Sequence, residues 1–177
     1  MMEASPRSRT AEARAATRGI DATLYRRIAG NWLTGVAVVT SVTASGRPVG
    51  LTVNAVSPLS LDPPQFLVNL DHASESLKAI RETGVFCINF LGADQEPICR
   101  TFARKGIDKF ASIGVCPGVT GAPVLTGTIA HAECRVEVIH GSGDHSIVIG
   151  SACAGEAVGG EPLVYFTSNF RILAACS

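Results

Sequence analysis

Two long alternating runs near residues 127–140 and 145–158 are joined only by Gly141-Ser142-Gly143-Asp144. Strands joined by so short a turn must lie antiparallel, because a parallel partner needs a crossover of about a dozen residues or more. The same grammar recurs upstream. Ala44-Ser45-Gly46-Arg47 separates β-branched residues 36–42 from residues 48–57, and Asp62-Pro63-Pro64 separates the latter from residues 65–71. Further strands fit residues 85–91 and 162–167, and residues 106–124 are loop-rich. Helical periodicity is confined to short stretches. Asp21 caps a helix with Leu24, Ile28 and Trp32 at every fourth position, ended by Gly35; Ser74 caps residues 75–82, closed by Gly84; and Asp94 opens a third, reaching Arg104. The pattern predicts a mainly β chain, an antiparallel closed or split β-barrel with a few short helices. No Gly-x-Gly-x-x-Gly follows a strand, which argues against a dinucleotide-binding fold.

A length of 177 residues fits one domain, read as residues 21–177. Residues 1–20, with four arginines, two glutamates and little to bury, read as a disordered tail, an organellar leader being the second reading. The formal net charge is zero and no basic run follows the tail, which argues against a nucleic-acid partner. No apolar run approaches a membrane span and no signal-peptide core follows Met1, so the expectation is a cytoplasmic protein with no membrane partner. Cys87, Cys99, Cys116, Cys134, Cys153 and Cys176 are widely spaced, without Cys-x-x-Cys, and read as buried small hydrophobes in a reducing compartment. His131 and Cys134, three apart on a strand, face opposite sides, and no metal site is expected. The chain is 46% hydrophobic and only 17% charged. That balance predicts a homodimer that buries apolar surface between subunits.

Four segments carry candidate chemistry. In the first, Thr52, Val53, Asn54, Ala55 and Ser57 precede a double proline, and small residues with side-chain donors let backbone lie close to a flat polar ligand; a half-buried strand with hydroxyls in water has the same look. In the second, Asp71-His72-Ala73-Ser74-Glu75-Ser76 ends a strand and opens a helix whose amides suit a phosphate, and ordinary capping by Ser74 uses the same residues. In the third, Phe102, Arg104, Lys105, Lys109 and Phe110 combine two aromatics with three cations, which fits either a phosphate clamp over a ring or a solvated helix end. In the fourth, Gly143, Asp144 and His145 place a histidine at a hairpin turn, where packing rarely needs one. Adjacent strand residues face opposite ways, so Asp144 is not expected to touch that ring. Tyr165 suits stacking on a flat ring or a place in the core, and His72, His131 and His140 read as structural.

Taken in order, Thr34-Gly35-Val36-Ala37-Val38-Val39-Thr40, Gly50 to Pro64, Ser74 with Leu77, Phe102-Ala103, Lys109-Phe110, Gly121-Ala122-Pro123, Gly143-Asp144-His145 and Leu163-Val164-Tyr165-Phe166 resemble the short-chain flavin reductase family. These are the reductase components of two-component flavin monooxygenases. The resemblance spans about residues 24–173. It implies a split barrel, usually a homodimer with flavin near the subunit interface, that uses NADH or NADPH to reduce FMN or FAD for a separate oxygenase component. By that likeness residues 52–57 lie along the isoalloxazine. Asp71, Ser74, Ser76, Phe102, Lys109 and Phe110 meet the flavin phosphate region, and Gly143, Asp144, His145 and Tyr165 line the nicotinamide side. Asn54 stands where many relatives have serine. A flavin carrier or sensor without turnover, and a flavin-dependent oxidase of related fold, are the rival readings.

Overall fold

The computed structural model describes residues 19–173, so the tail reading concerns residues that lie, but for Gly19 and Ile20, outside it. The chain divides into two units, one ending at Trp32 and one beginning at Leu33. The first holds α1 (Ala22–Ala29), which starts where the Asp21 carboxylate accepts from the Leu24 amide at 2.8 Å. It ends at Gly30, five residues before the expected stop. Glycine is a poor helix residue, and the amides of Asn31 and Trp32 close tighter turns onto Ile28 and Ala29.

In the second unit β1 (Thr34–Gly35), β2 (Ala37–Val42), β3 (Pro48–Val53), β4 (Val56–Leu61) and β5 (Pro64–Asp71) lead to α2 (Glu75–Thr83) and β6 (Val85–Phe90). A 3₁₀ turn (Ala93–Gln95) enters α3 (Glu96–Ala103). Then come β7 (Val115–Pro117), β8 (Pro123–Leu125), the long pair β9 (Ala130–Ser142) and β10 (His145–Ala157), β11 (Val164–Phe166) and β12 (Asn169–Arg171). β9 and β10 join through Gly143 and Asp144, with φ 60° at Gly143, a conformation that a two-residue hairpin loop takes readily with glycine.

Seven strands pair in the order β3-β2-β6-β9-β10-β5-β4, all antiparallel. The two ends of that order, β3 and β4, are consecutive in sequence and separated only by Asn54 and Ala55. A sheet whose outermost strands are two residues apart along the chain must curl until its edges meet. It is a barrel left split between β3 and β4, because β3 pairs with β2 and β4 with β5. The run expected as one strand over residues 48–57 therefore breaks at Asn54: its first half belongs to one barrel edge and its second half to the other.

The barrel interior is filled by Val39, Val53, Val68, Leu70, Phe86, Ile88 and Val148, with Leu77 and Ile80 of α2 closing it. Ser74 caps α2 as the sequence predicts, and Gly84 ends it in the left-handed conformation. A second cluster, Val36, Val38, Leu91, Cys99, Phe102, Leu125 and Leu163, packs under α3. Buried Asn89 ties β8 down there: its Oδ1 accepts from the Leu125 amide at 2.8 Å and its Nδ2 donates to the Val38 carbonyl at 3.1 Å. Cys87, Cys99 and Cys134 are buried as expected, whereas Cys116 and Cys153 are exposed; Cys176 lies outside the described residues.

Glu133 on β9 is only 3% exposed. Burial alone would raise its pKa, but the Thr120 and Val119 amides and the Thr120 hydroxyl donate to it at 2.8–3.1 Å and hold it below the ordinary glutamate value. A carboxylate depressed in the folded state stabilises above its unfolded pKa, and that contribution is lost as pH falls through the folded value. Glu133→Gln is thus expected to cost about 2 kcal/mol at neutral pH. It should also flatten the loss of stability below about pH 4.5, the ordinary value, on denaturant melts of both proteins. Equal acid slopes would remove Glu133 from that account.

Candidate active site

The split positions the site. β3 is a barrel edge, so one side of its backbone has no strand partner among the described residues, and the break at Asn54 and Ala55 exposes Asn54. Val53 turns its side chain into the barrel core. Thr52 faces α3, and its hydroxyl donates to the Cys99 carbonyl at 2.6 Å. The Ala55 carbonyl accepts from the Asn69 backbone amide at 3.0 Å, while the buried Asn69 Oδ1 has no hydrogen-bond partner among the described residues. Ser57 is exposed, bonds its neighbour Pro58 and lines neither of the two hollows beside Thr52.

The larger hollow is a groove of about 880 Å³ running from Thr52 past Asp71, Ser74 and Ser76 to Arg47, with residues 102–110 as its far wall. Its anion-suited end is built locally. The Asp71 carboxylate accepts from the Ala73 amide at 2.7 Å, and Ser74 Oγ accepts from the Leu77 amide at 3.3 Å, which together turn the chain out of β5 into the first turn of α2. Ser76 is 3% exposed and forms part of the floor.

The far wall is clasped to β3. Lys109 Nζ donates to the carbonyls of Gly50 at 2.8 Å and Phe102 at 2.9 Å. Burial lowers its pKa, with the nearby Lys105 charge acting the same way against Glu75. An ammonium carries three donors, so one is left for the groove. Phe102, 1% exposed, is part of the core under the wall, and Phe110 meets its ring edge-on at 5.0 Å. The fit is close: a Cβ at Gly50 would come within 2.7 Å of the Phe102 ring, so β3 needs glycine there.

A second cavity, about 370 Å³, opens on the other side of Thr52 between Asn54, Arg100, Tyr165 and Phe170. Arg100 lies 5.1 Å from the Phe170 ring centroid and bonds Glu96 at 2.6–2.7 Å, and Tyr165 packs edge-on to the same ring. This wall was missed in the sequence. β12 follows a turn made by Thr167 and Ser168, both at positive φ, where glycine or asparagine is the usual signal.

The fourth segment lies apart from both hollows. His145 opens β10 opposite Asp71, and the His72 amide donates to the Asp144 carbonyl, so the hairpin tip sits beside the Asp71 end of the groove. His145 lines neither of these two cavities, whereas Tyr165 lines the smaller. Contrary to expectation, Asp144 Oδ1 meets His145 Nδ1 at 2.6 Å. Asp144 belongs to the turn rather than the strand, so alternation does not separate the two. The histidine's hydrogen bond holds the Asp144 carboxyl below its ordinary pKa. Among the described residues no cluster of three metal-ligating side chains occurs, and no helix is long and apolar enough to cross a membrane.

Comparison with known proteins gives these hollows a context. A family model described as a flavin reductase like domain matches residues 29–174. The reductase subunit HsaB of a flavin-dependent monooxygenase from Rhodococcus jostii is 33% identical over 162 residues, 91% of this chain and 83% of that protein. The FMN reductase (NADH) SmoA of Agrobacterium fabrum is 36% identical over 146 residues, 82% of this chain and 83% of that protein. The NADH:FAD oxidoreductase SgcE6 of Streptomyces globisporus, solved with NAD and FAD fragments, superposes with a TM-score of 0.82 at 30% identity, covering 87% of this chain and 93% of that one.

Proposed function

The chain belongs to the flavin reductase-like family and is an NAD(P)H:flavin oxidoreductase, and from that premise we propose that it reduces FMN or FAD in the groove beside Thr52 and releases it to a separate monooxygenase component. The observation that carries this reading is the split itself. An unpartnered strand edge at Thr52–Asn54 opens into a groove that ends in cations and a helix N-terminus, which suits a ligand with a hydrogen-bonding ring at one end and phosphate at the other.

Bound flavin supplies a hydride-accepting centre, and the nicotinamide supplies the hydride. The protein's part is placement. Thr52, Val53 and Asn54 offer backbone groups along the strand edge, with Ala55 at the break, whereas Ser57, on the other barrel edge, lies outside both hollows. Asp71, Ser74, Ser76, Phe102, Phe110 and the remaining Lys109 donor shape the phosphate end. Gly143, Asp144 and His145 hold the nicotinamide nucleotide, and the place of His145 beside Asp71 suits its phosphates or carboxamide. Tyr165 stacks on a ring from the second cavity. A second copy of the chain brings these parts together, and the exposed Leu59 and Leu61 on edge strand β4, at 45% and 92%, are surface that such a copy would cover.

Anaerobic NADH and NADPH oxidation, followed by absorbance with and without FMN or FAD, is the test. Rapid oxidation that depends on added flavin is expected. Tight flavin binding without oxidation would instead favour a carrier or an oxidase.

A further inference from the structure

Resting on that reading, we infer that the groove is built for a flavin dinucleotide in preference to a mononucleotide, with Arg104 and Lys105 holding the second phosphate and Ile107 seating the adenine. Space is the first ground. A volume of about 880 Å³ lies near the top of the range of about 300–1,000 Å³ for small-molecule sites. The hollow also continues beyond the Ser74 helix end to Arg47 and the loop after α3.

The distribution of charge is the second ground. Two of the groove's four cations are already engaged: Arg47 pairs with Glu75, and Lys109 spends two donors on backbone carbonyls. Arg104 and Lys105 have no ion-pair partner among the described residues. The two are adjacent on one loop, and the Lys105 charge bears on Lys109, whose pKa is lowered first by burial and then by Lys105. An anion between them relieves that repulsion. The groove therefore offers two separate anion positions, one at Ser74 with the last Lys109 donor and one at Arg104–Lys105. A mononucleotide fills only one of them.

The third ground is Ile107. It is 45% exposed and shares the wall with the charged Arg104, Lys105, Asp108 and Lys109. A flat apolar group beyond the phosphates covers it, and adenine is such a group.

The test is equilibrium binding of FAD, FMN and riboflavin, followed by flavin fluorescence, to the full chain and to Arg104→Ala/Lys105→Ala and Ile107→Ser, with circular dichroism as the folding control. The wild type is expected to bind FAD at least about tenfold more tightly than FMN, since charge-assisted contacts carry roughly that ratio or more. The double variant should bring the FAD-to-FMN ratio close to one, and Ile107→Ser should lower it severalfold. Equal affinities in the wild type, or a ratio unchanged in both variants, would overturn the inference. NADH oxidation measured in parallel separates the two levels: a flat FAD-to-FMN ratio with brisk oxidation sinks only this inference, whereas no oxidation with any flavin sinks the reductase reading.

Discussion

Replacing Gly150 with alanine is expected to cost about 3 kcal/mol of stability and about 10 °C in melting temperature, a large loss for one methyl group. Gly150 lies on β10 where the register with β9 shifts. A Cβ there would stand 2.6 Å from two atoms of the Phe86 ring and 3.0 Å from the Arg135 carbonyl. Phe86 is fully buried in the barrel interior, enclosed by neighbours from other strands, so its ring has nowhere to turn. The cost falls as overpacking, not as lost hydration. A second substitution distinguishes this from a backbone effect. Phe86→Leu alone leaves a cavity and destabilises. Combined with Gly150→Ala it should cost less than the two losses added, because the methyl enters the space the ring tip vacates. Strict additivity in denaturant melts would mean that the glycine is required for some other reason.

Much of this architecture is legible before any coordinates. The hairpin signals at Ser45-Gly46 and Gly143-Asp144 and the capping of α2 by Ser74 and Gly84 all act within a few residues, which is the range over which sequence speaks plainly. What escaped the sequence is set by distant partners. Residues 48–57 alternate like one strand, and only the barrel's closure decides that Val53 and Val56 sit on opposite edges. The Thr167–Ser168 turn carries no glycine or asparagine, so β12 and the cavity wall it brings left no mark. Arg47 reads as a hairpin residue until the fold carries it to the groove's mouth. The Lys109 charge reads as a phosphate ligand, and only the structure reveals that Gly50 and Phe102 already claim two of its donors. The Asp144–His145 contact was legible in principle: a two-residue loop puts Asp144 outside the alternation that otherwise separates neighbours.

That contact underlies the last expected result: His145→Ala raises the KM for NADH about tenfold, the value of one charge-assisted hydrogen bond, while kcat at saturating NADH changes much less. The imidazole is 48% exposed at the hairpin tip, and Nδ1 is taken by Asp144 Oδ1 at 2.6 Å. Nε2 is therefore the atom presented outward. On the proposed reading it would accept from a carboxamide with the ring neutral and donate to a phosphate with the ring charged. Neither role moves the hydride, so the loss belongs in binding and not in turnover. On the same reading Asp144 would act through the ring it touches, as a positioning residue. Asp144→Asn keeps an acceptor near Nδ1 but removes the charge, and it should raise KM by only about threefold. Flavin affinity, measured by fluorescence without nicotinamide, should stay within about twofold in both variants, because neither side chain lines the groove. A KM unchanged in His145→Ala would remove the histidine from the nicotinamide site. An equal loss of flavin affinity would mean that the hairpin tip supports the Asp71 corner instead, through the His72 amide bond to the Asp144 carbonyl.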